Sequence, residues 1–260
     1  MERAEAFLRA GELDEALAAL DEHLQAHPND SDVQRLRINV LIRLPRRAQA
    51  TLEALQTLPE LTKDDYTTRF GALLHLHLPG VDEALVQAAA RFSAHPALAE
   101  LALEVLHRRG ASDQALELLA GLPQTPHWLS WHGTFCTLGG DYRAAAEQYC
   151  SALAQLADTK DPLRLLQRAT LLLKRADAYR RLKQYADSEA DYLAAEAIIP
   201  DDPMIPFNRG LLIFEQGNLR RALPPCRDAL DHAPDALREH MRHALLDEPR
   251  YCTLAQALLG

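Results

Sequence analysis

The chain has 260 residues, 48% of them hydrophobic and 25% charged, a composition that folds rather than stays disordered and that allows one large domain, two average ones or a repeat array. Its formal net charge of -9 argues against nonspecific contact with nucleic acid or with an anionic membrane surface, both of which select basic faces. No stretch reaches the ~18 apolar residues of a membrane span, and the opening MERAEAFLRAGELDEA lacks the basic-then-apolar order of a leader, so a cytoplasmic protein is expected.

In chain order, the first helical phrase is AGELDEALAALDEHLQAHPND, where Gly11 turns the chain, Ala16, Leu20 and Leu24 share one helical face, and Pro28 closes it. LPRRAQATLEAL brings Ala50 and Ala54, with Ala50 standing 34 residues after Ala16. PGVDEALVQAAARFSAHP offers Ala84, Ala88 and Pro96 after a further 34, and RGASDQALELLAGLP offers Ala115 and Leu119 after a step of 31. The pattern is weak here and the helix boundaries are correspondingly loose.

From Pro126 the phrase becomes regular. GGDYRAAAEQYCSAL, KQYADSEADYLAAEAIIPDDP and QGNLRRALPPCRDALDHAPD each carry a turn, a short helix entry, a small residue, a larger one four later and a small one three after that. Ser188, Tyr192, Ala195 and Pro200 repeat as Ala222, Cys226, Ala229 and Pro234, 34 residues on. Spacings of four and three lie on one helix face, so small side chains admit a neighbouring helix and the bulky one fills the space beside it. The preceding helix carries its own mark in Gly133 with Cys136, Ala176 with Tyr179 and Gly210 with Ile213. This grammar predicts an antiparallel helical hairpin in tandem.

Several residues break the pattern. Pro224 and Pro225 fall inside a second helix, where proline is costly, unless that helix begins near Ala222 and both lie in its first turn. Trp128 and Trp131 flank Leu129 and, with Phe135, are expected to form a packing stripe against the preceding hairpin.

At these residues the chain resembles the tetratricopeptide repeat family, whose unit of about 34 residues carries W-x2-L-G-x2-Y, A-x3-F and a closing Pro. The resemblance is clear in Pro126 to Arg168, Ala169 to Asp202 and Pro203 to Ala236, the first stretched by about nine residues around QLADTKDPL. It implies an all-α fold, a right-handed superhelical solenoid of stacked antiparallel helix hairpins. Residues 1–260 would form one solenoid, with degenerate repeats in 1–125, three clearer ones in 126–236 and capping helices in 237–260.

Chemistry-bearing motifs are sparse. There is no phosphate loop, dinucleotide fingerprint, GxSxG elbow or HExxH helix, so a noncatalytic protein without cofactor or metal is expected. Cys136, Cys150, Cys226 and Cys252 have no CxxC spacing and read as small buried hydrophobes. His75 with His77 and His240 with His243 are close in sequence but lack further ligands, which favours solvated or core roles over a metal. KRADAYRRLK, with Lys174, Arg175, Arg180, Arg181 and Lys183, reads as a solvated basic face.

The resemblance further implies that first helices line a concave groove that takes peptides. On that inner stripe it selects Leu173, Asp177, Arg180 and Arg181, then Met204, Phe207, Leu211 and Phe214, and finally Met241 and Leu245. So much apolar surface leaves two readings: the last helices close over the stripe and make it core, or the stripe with Arg180 and Arg181 receives an amphipathic or extended peptide bearing an acidic group. Some family members clamp a C-terminal carboxylate; Lys174 and Asn208 fit such a clamp, but Ser130, Thr134 and Met204 stand where more clamp residues belong, so that specificity is not expected. The expected function is a protein-protein interaction adaptor or scaffold whose partner is a protein or peptide, with a peptide-sensing regulatory module or the helper region of a larger enzyme as alternatives.

Overall fold

A computed structural model describes residues 2–44, 48–58, 61–76, 80–91 and 95–260, and among these all regular structure is helical. The chain forms two compact units, one of Met1–Ala111 with Ala120–Leu122, the other of Ser112–Leu119 with Pro123–Gly260.

The first unit contains α1 (Glu2–Ala10), α2 (Leu13–Ala26), α3 (Ser31–Leu41), α4 (Ala48–Gln56), α5 (Lys63–His75), α6 (Val81–Arg91) and α7 (Pro96–Arg109). Helices α3, α5 and α7 start where a side chain takes the first unpaired backbone donors. Asp30 accepts from the Val33 amide ahead of α3, Thr62 and Asp65 form a reciprocal capping box on α5, and His95 accepts from the Leu98 amide ahead of α7. Leu17, Leu20, Val33, Ile38, Leu41, Ala54 and Leu55 are buried together.

The second unit continues from α8 (Ser112–Ala120) with α9 (Pro126–Leu138), α10 (Tyr142–Ala154), α11 (Pro162–Arg181), α12 (Tyr185–Glu196), α13 (Met204–Glu215), α14 (Leu219–His232), α15 (Asp235–Leu246) and α16 (Cys252–Leu259). Helices α9 with α10, α11 with α12, and α13 with α14 pack as pairs. In the first and third pairs the glycine of the first helix lies against the larger residue of the second. A Cβ on Gly133 would lie 2.4 Å from the Tyr149 ring, and one on Gly210 would lie 2.2 Å from Cys226 Sγ and 3.1 Å from the Ala222 carbonyl oxygen. In the middle pair the Ser188 hydroxyl donates to the buried Ala176 carbonyl at 2.8 Å. Burial pushes the Cys226 thiol up to about 12, so it acts as a small apolar filler.

The turns share one conformation. Gly11, Gly80, Gly110, Gly140 and Gly217 each have φ between 66° and 85° immediately before a second helix, and Lys183 takes the equivalent place between α11 and α12 with φ 60°. A left-handed backbone is free of strain for glycine and costs a side-chain-bearing residue about 1 kcal/mol or more.

The structure departs from the sequence reading at four places. Helix α14 begins at Leu219 behind the Asn218 cap, so Pro224 and Pro225 lie inside it rather than in its first turn. The carbonyls they leave without donors belong to Arg220 and Arg221, both exposed residues. The extra residues of the stretched repeat lengthen α11, which runs 20 residues from Pro162 with Asp161 capping the Leu163 amide, and leave Leu163 and Leu166 exposed at 76% and 52%. Cys136 and Cys226 are buried as expected, but Cys150 is only partly covered and Cys252 is exposed. Finally, KRADAYRRLK is not one solvated face: Arg181 and Lys183 are exposed, Lys174 and Arg175 are half-buried, and Arg180 is buried. Trp128 and Phe135 do join the interior, and Trp131 stacks on Phe135 with ring centroids 5.7 Å apart.

Gly210→Ala should therefore lower stability by about 1–3 kcal/mol through overpacking, whereas Gly71→Ala in α5, with nothing within 4 Å of an added Cβ, should raise it by about 0.5–1 kcal/mol; urea unfolding followed by circular dichroism checks the opposite signs. Lys183→Gly, which relieves the left-handed turn, should raise stability by up to about 1 kcal/mol in the same measurement.

Candidate interaction surface on the first helices

Helix α11 stands between α9 and α13, and its cationic residues divide by the face they occupy. Arg175 serves the packing with the second helices. It donates from Nε and an amino group to the two carboxylate oxygens of Asp191 on α12 at 2.8 and 2.7 Å, and from its other amino group to Cys150 Sγ on α10 at 3.1 Å. The two-point pairing with Asp191 comes first among the causes that hold the guanidinium pKa raised despite burial. Arg209 on α13 makes a comparable tie to Glu189 and Glu196 on α12, at 2.8 and 3.1 Å.

Lys174 and Arg180 instead connect the first helices. The Lys174 ammonium donates to the hydroxyls of Ser130 and Thr134 on α9 at 3.1 and 3.0 Å. Thr134 itself donates to the Ser130 carbonyl at 2.9 Å, which fixes its oxygen as an acceptor toward the lysine. Among the described residues no carboxylate forms an ion pair with Lys174. Burial lowers its pKa from the usual 10.5 because the charged form loses water without gaining an opposite charge. Arg180 reaches the other way, to Glu215 on α13 at 2.5 Å and to the Tyr251 hydroxyl at 2.6 Å, and also pairs with Asp177.

The inner-stripe residues named from the sequence thus separate into two groups. Leu173, Asp177, Arg181, Met204 and Phe214 keep partial or full exposure. Phe207, Leu211 and Met241 are 0, 4 and 0% exposed and belong, with Leu245, to a core cluster that includes Tyr251, Leu254 and Ala255. An open apolar groove at that end is therefore corrected to a filled one: α15, the turn Pro249–Tyr251 and α16 cover the stripe. Arg180, at 6% exposure, is likewise a covered residue rather than a border of an open groove. Glu215 and Tyr251 were not named from the sequence; they lie 35 and 71 residues from Arg180, and the repeat pattern marks small and large packing positions rather than polar partners between first helices.

Other candidate chemistry finds no focus. Among the described residues no group of three His, Cys, Asp or Glu is placed to hold a metal ion. His240 and His243 lie on α15, and His77 lies outside the described residues. Among those residues no helix is long and apolar enough to cross a membrane.

With this geometry in place, comparison with known proteins defines the class. Residues 1–40 and 173–236 match models of the tetratricopeptide repeat. A tetratricopeptide repeat protein from Parabacteroides merdae shares 17% identity over 99% of this chain and 91% of its own, with a TM-score of 0.51. The C-terminal part of a tetratricopeptide repeat-containing protein from Cytophaga hutchinsonii shares 11% identity over 96% of this chain and 97% of its own, with a TM-score of 0.62. A chain of the APC/C hetero-tetramer Cut9-Hcn1 shares 15% identity over 99% of this chain but only 48% of its own, with a TM-score of 0.58. No curated protein matches the sequence. Residues 1–40 and 173–236 thus resemble tetratricopeptide repeats, and the fold is an all-α stack of antiparallel helix pairs like that of these repeat proteins.

Because Asp191 is buried against Arg175, with side-chain exposures of 7 and 21%, Asp191→Leu alone should cost about 3 kcal/mol by stranding the guanidinium. The double change Arg175→Met, Asp191→Leu should recover most of that loss, as read from denaturant midpoints of the two variants.

Proposed function

We propose that this protein is a noncatalytic interaction scaffold that holds a peptide or protein segment along the inner face of α9, α11 and α13. Tetratricopeptide repeats serve generally as protein-interaction scaffolds, and repeat stacks of this kind offer extended concave surfaces for binding. The observation that carries the finer reading is Lys174, a desolvated ammonium whose partners among the described residues are the Ser130 and Thr134 hydroxyls. A positive charge taken from water with no opposite charge beside it is a standing site for an acidic group of a partner. Leu173 on the same helix and Met204 and Asn208 on α13 are partly exposed. A partner segment with one Asp or Glu among apolar residues suits that set. The net charge of -9 favours a protein partner over nucleic acid or an anionic membrane.

Selection from a random peptide library should return peptides sharing an acidic residue, and Lys174→Met should weaken them about tenfold, or ~1.4 kcal/mol. Equal binding to wild type and variant would remove the reading. Binding should also fall as pH rises through the lowered pKa of Lys174, because only the ammonium pairs with the carboxylate. In the free protein the sign runs the other way. The unfolded chain holds the lysine proton more tightly than the folded one, so this residue adds stability as pH rises from the lowered pKa toward 10.5. Lys174→Met, relieved of the buried charge, should melt about 2–4 °C higher at neutral pH.

A further inference from the structure

The far end of the same inner face is already occupied, and its occupant belongs to the chain. Between α15 and α16 the backbone forms the short turn Pro249–Tyr251. Tyr251 enters the space beside the last turns of α11 and α13 and is 2% exposed. Its hydroxyl accepts from Arg180 at 2.6 Å and donates to Glu215. Its ring meets Phe214 edge-on, with centroids 6.0 Å apart and planes at 61°. Around it, Arg250 pairs with Glu215 at 3.4 Å and Glu248 reaches Arg181 at 4.0 Å. Three and four residues beyond the tyrosine, Leu254 and Ala255 are 0 and 5% exposed, while Cys252, Thr253, Gln256 and Ala257 on the other side of α16 are exposed.

This is how a docked peptide is held: one aromatic anchor with a polar tip, flanking charges paired at the rim, and a short helix laying one apolar side down. The fit has one defect. Arg180 is 6% exposed, yet its Nε has no hydrogen-bond partner. A buried donor left unpaired costs free energy that an occupant with a better-placed acceptor would recover. The segment therefore satisfies the site incompletely.

We propose that Glu248–Ala255 is a built-in surrogate ligand, occupying a docking site whose external partner is a peptide with a tyrosine preceded by charged residues and followed at the third and fourth positions by leucine and alanine on a short helix. The proposal rests on the scaffold reading and specifies how that inner face is regulated at its Arg180 end: a partner binds there by displacing the chain's own segment.

Two measurements on the full chain test it. Hydrogen exchange should show the amides of residues 251–259 opening together, about 100-fold faster than those of α13 and α14; exchange of both regions at one common rate would overturn the proposal, because the segment would then be inseparable from the core. In parallel, a fluorescein-labelled synthetic peptide of residues 247–260 is titrated into wild type and into the full chain carrying Tyr251→Ala and Leu254→Asp. The variant, with its own segment weakened, should bind the peptide at least about tenfold more tightly than wild type, and the same peptide with phenylalanine at its tyrosine should lose about fivefold. A variant with wild-type helicity that fails to bind the peptide overturns the proposal, and if the variant is unfolded the exchange result alone decides. Library peptides that depend on Lys174, obtained while the 247–260 peptide does not bind, would sink the surrogate and leave the scaffold standing.

Discussion

The second unit depends on how closely two helices of a pair can approach. Where the first helix carries Gly133, Ala176 or Gly210, the second can press Tyr149, Ser188 or Cys226 almost onto its backbone. An isolated pair of this kind buries too little to persist, and stability accrues only when pairs stack and share their outer apolar faces. That sharing is visible in the core of the second unit, where Leu129 of α9, Tyr149 of α10, Leu172 of α11, Tyr192 of α12 and Ile205 of α13 belong to one continuous cluster. Close approach also fixes what the opposite faces of the first helices can do, since the residues there are released from pair packing.

Helix α11 shows the division of labour most clearly. Arg175 faces a carboxylate that matches its two-pronged shape, and the pair fastens a hairpin. Arg180 faces Glu215 and Tyr251 and fastens neighbouring repeats to the last two helices. Lys174, one position before Arg175, donates among the described residues to hydroxyls. Three cations within seven residues of one helix thus range from fully matched to unmatched, and the unmatched one marks surface that the fold does not need for itself.

The repeat was legible in the sequence because its determinants are local: a small residue, a large one four later and a left-handed turn recur from hairpin to hairpin, and the helices α9 to α14 follow them. What periodicity could not carry was the exception. The run KRADAYRRLK looks uniformly basic, yet its residues part company once α12 covers Arg175 and Tyr251 covers Arg180. The apolar stripe of Phe207 and Leu211 could be read as groove or core, and the choice rested on where a segment 30 or more residues later comes to lie. Pro224 and Pro225 suggested a later helix start, but Asn218 caps the helix at its true beginning by accepting from the Arg221 amide, a local signal that the proline penalty obscured.

The lengthened α11 has a consequence of its own. A stack of near-identical units is close to translationally symmetric, so an extended ligand can in principle slip by one unit and lose little. The added turns from Pro162 to Arg168, with Leu163 and Leu166 bare, occur in α11 and in neither α9 nor α13, so the first helices of the second unit are not interchangeable and the repeat is locally asymmetric.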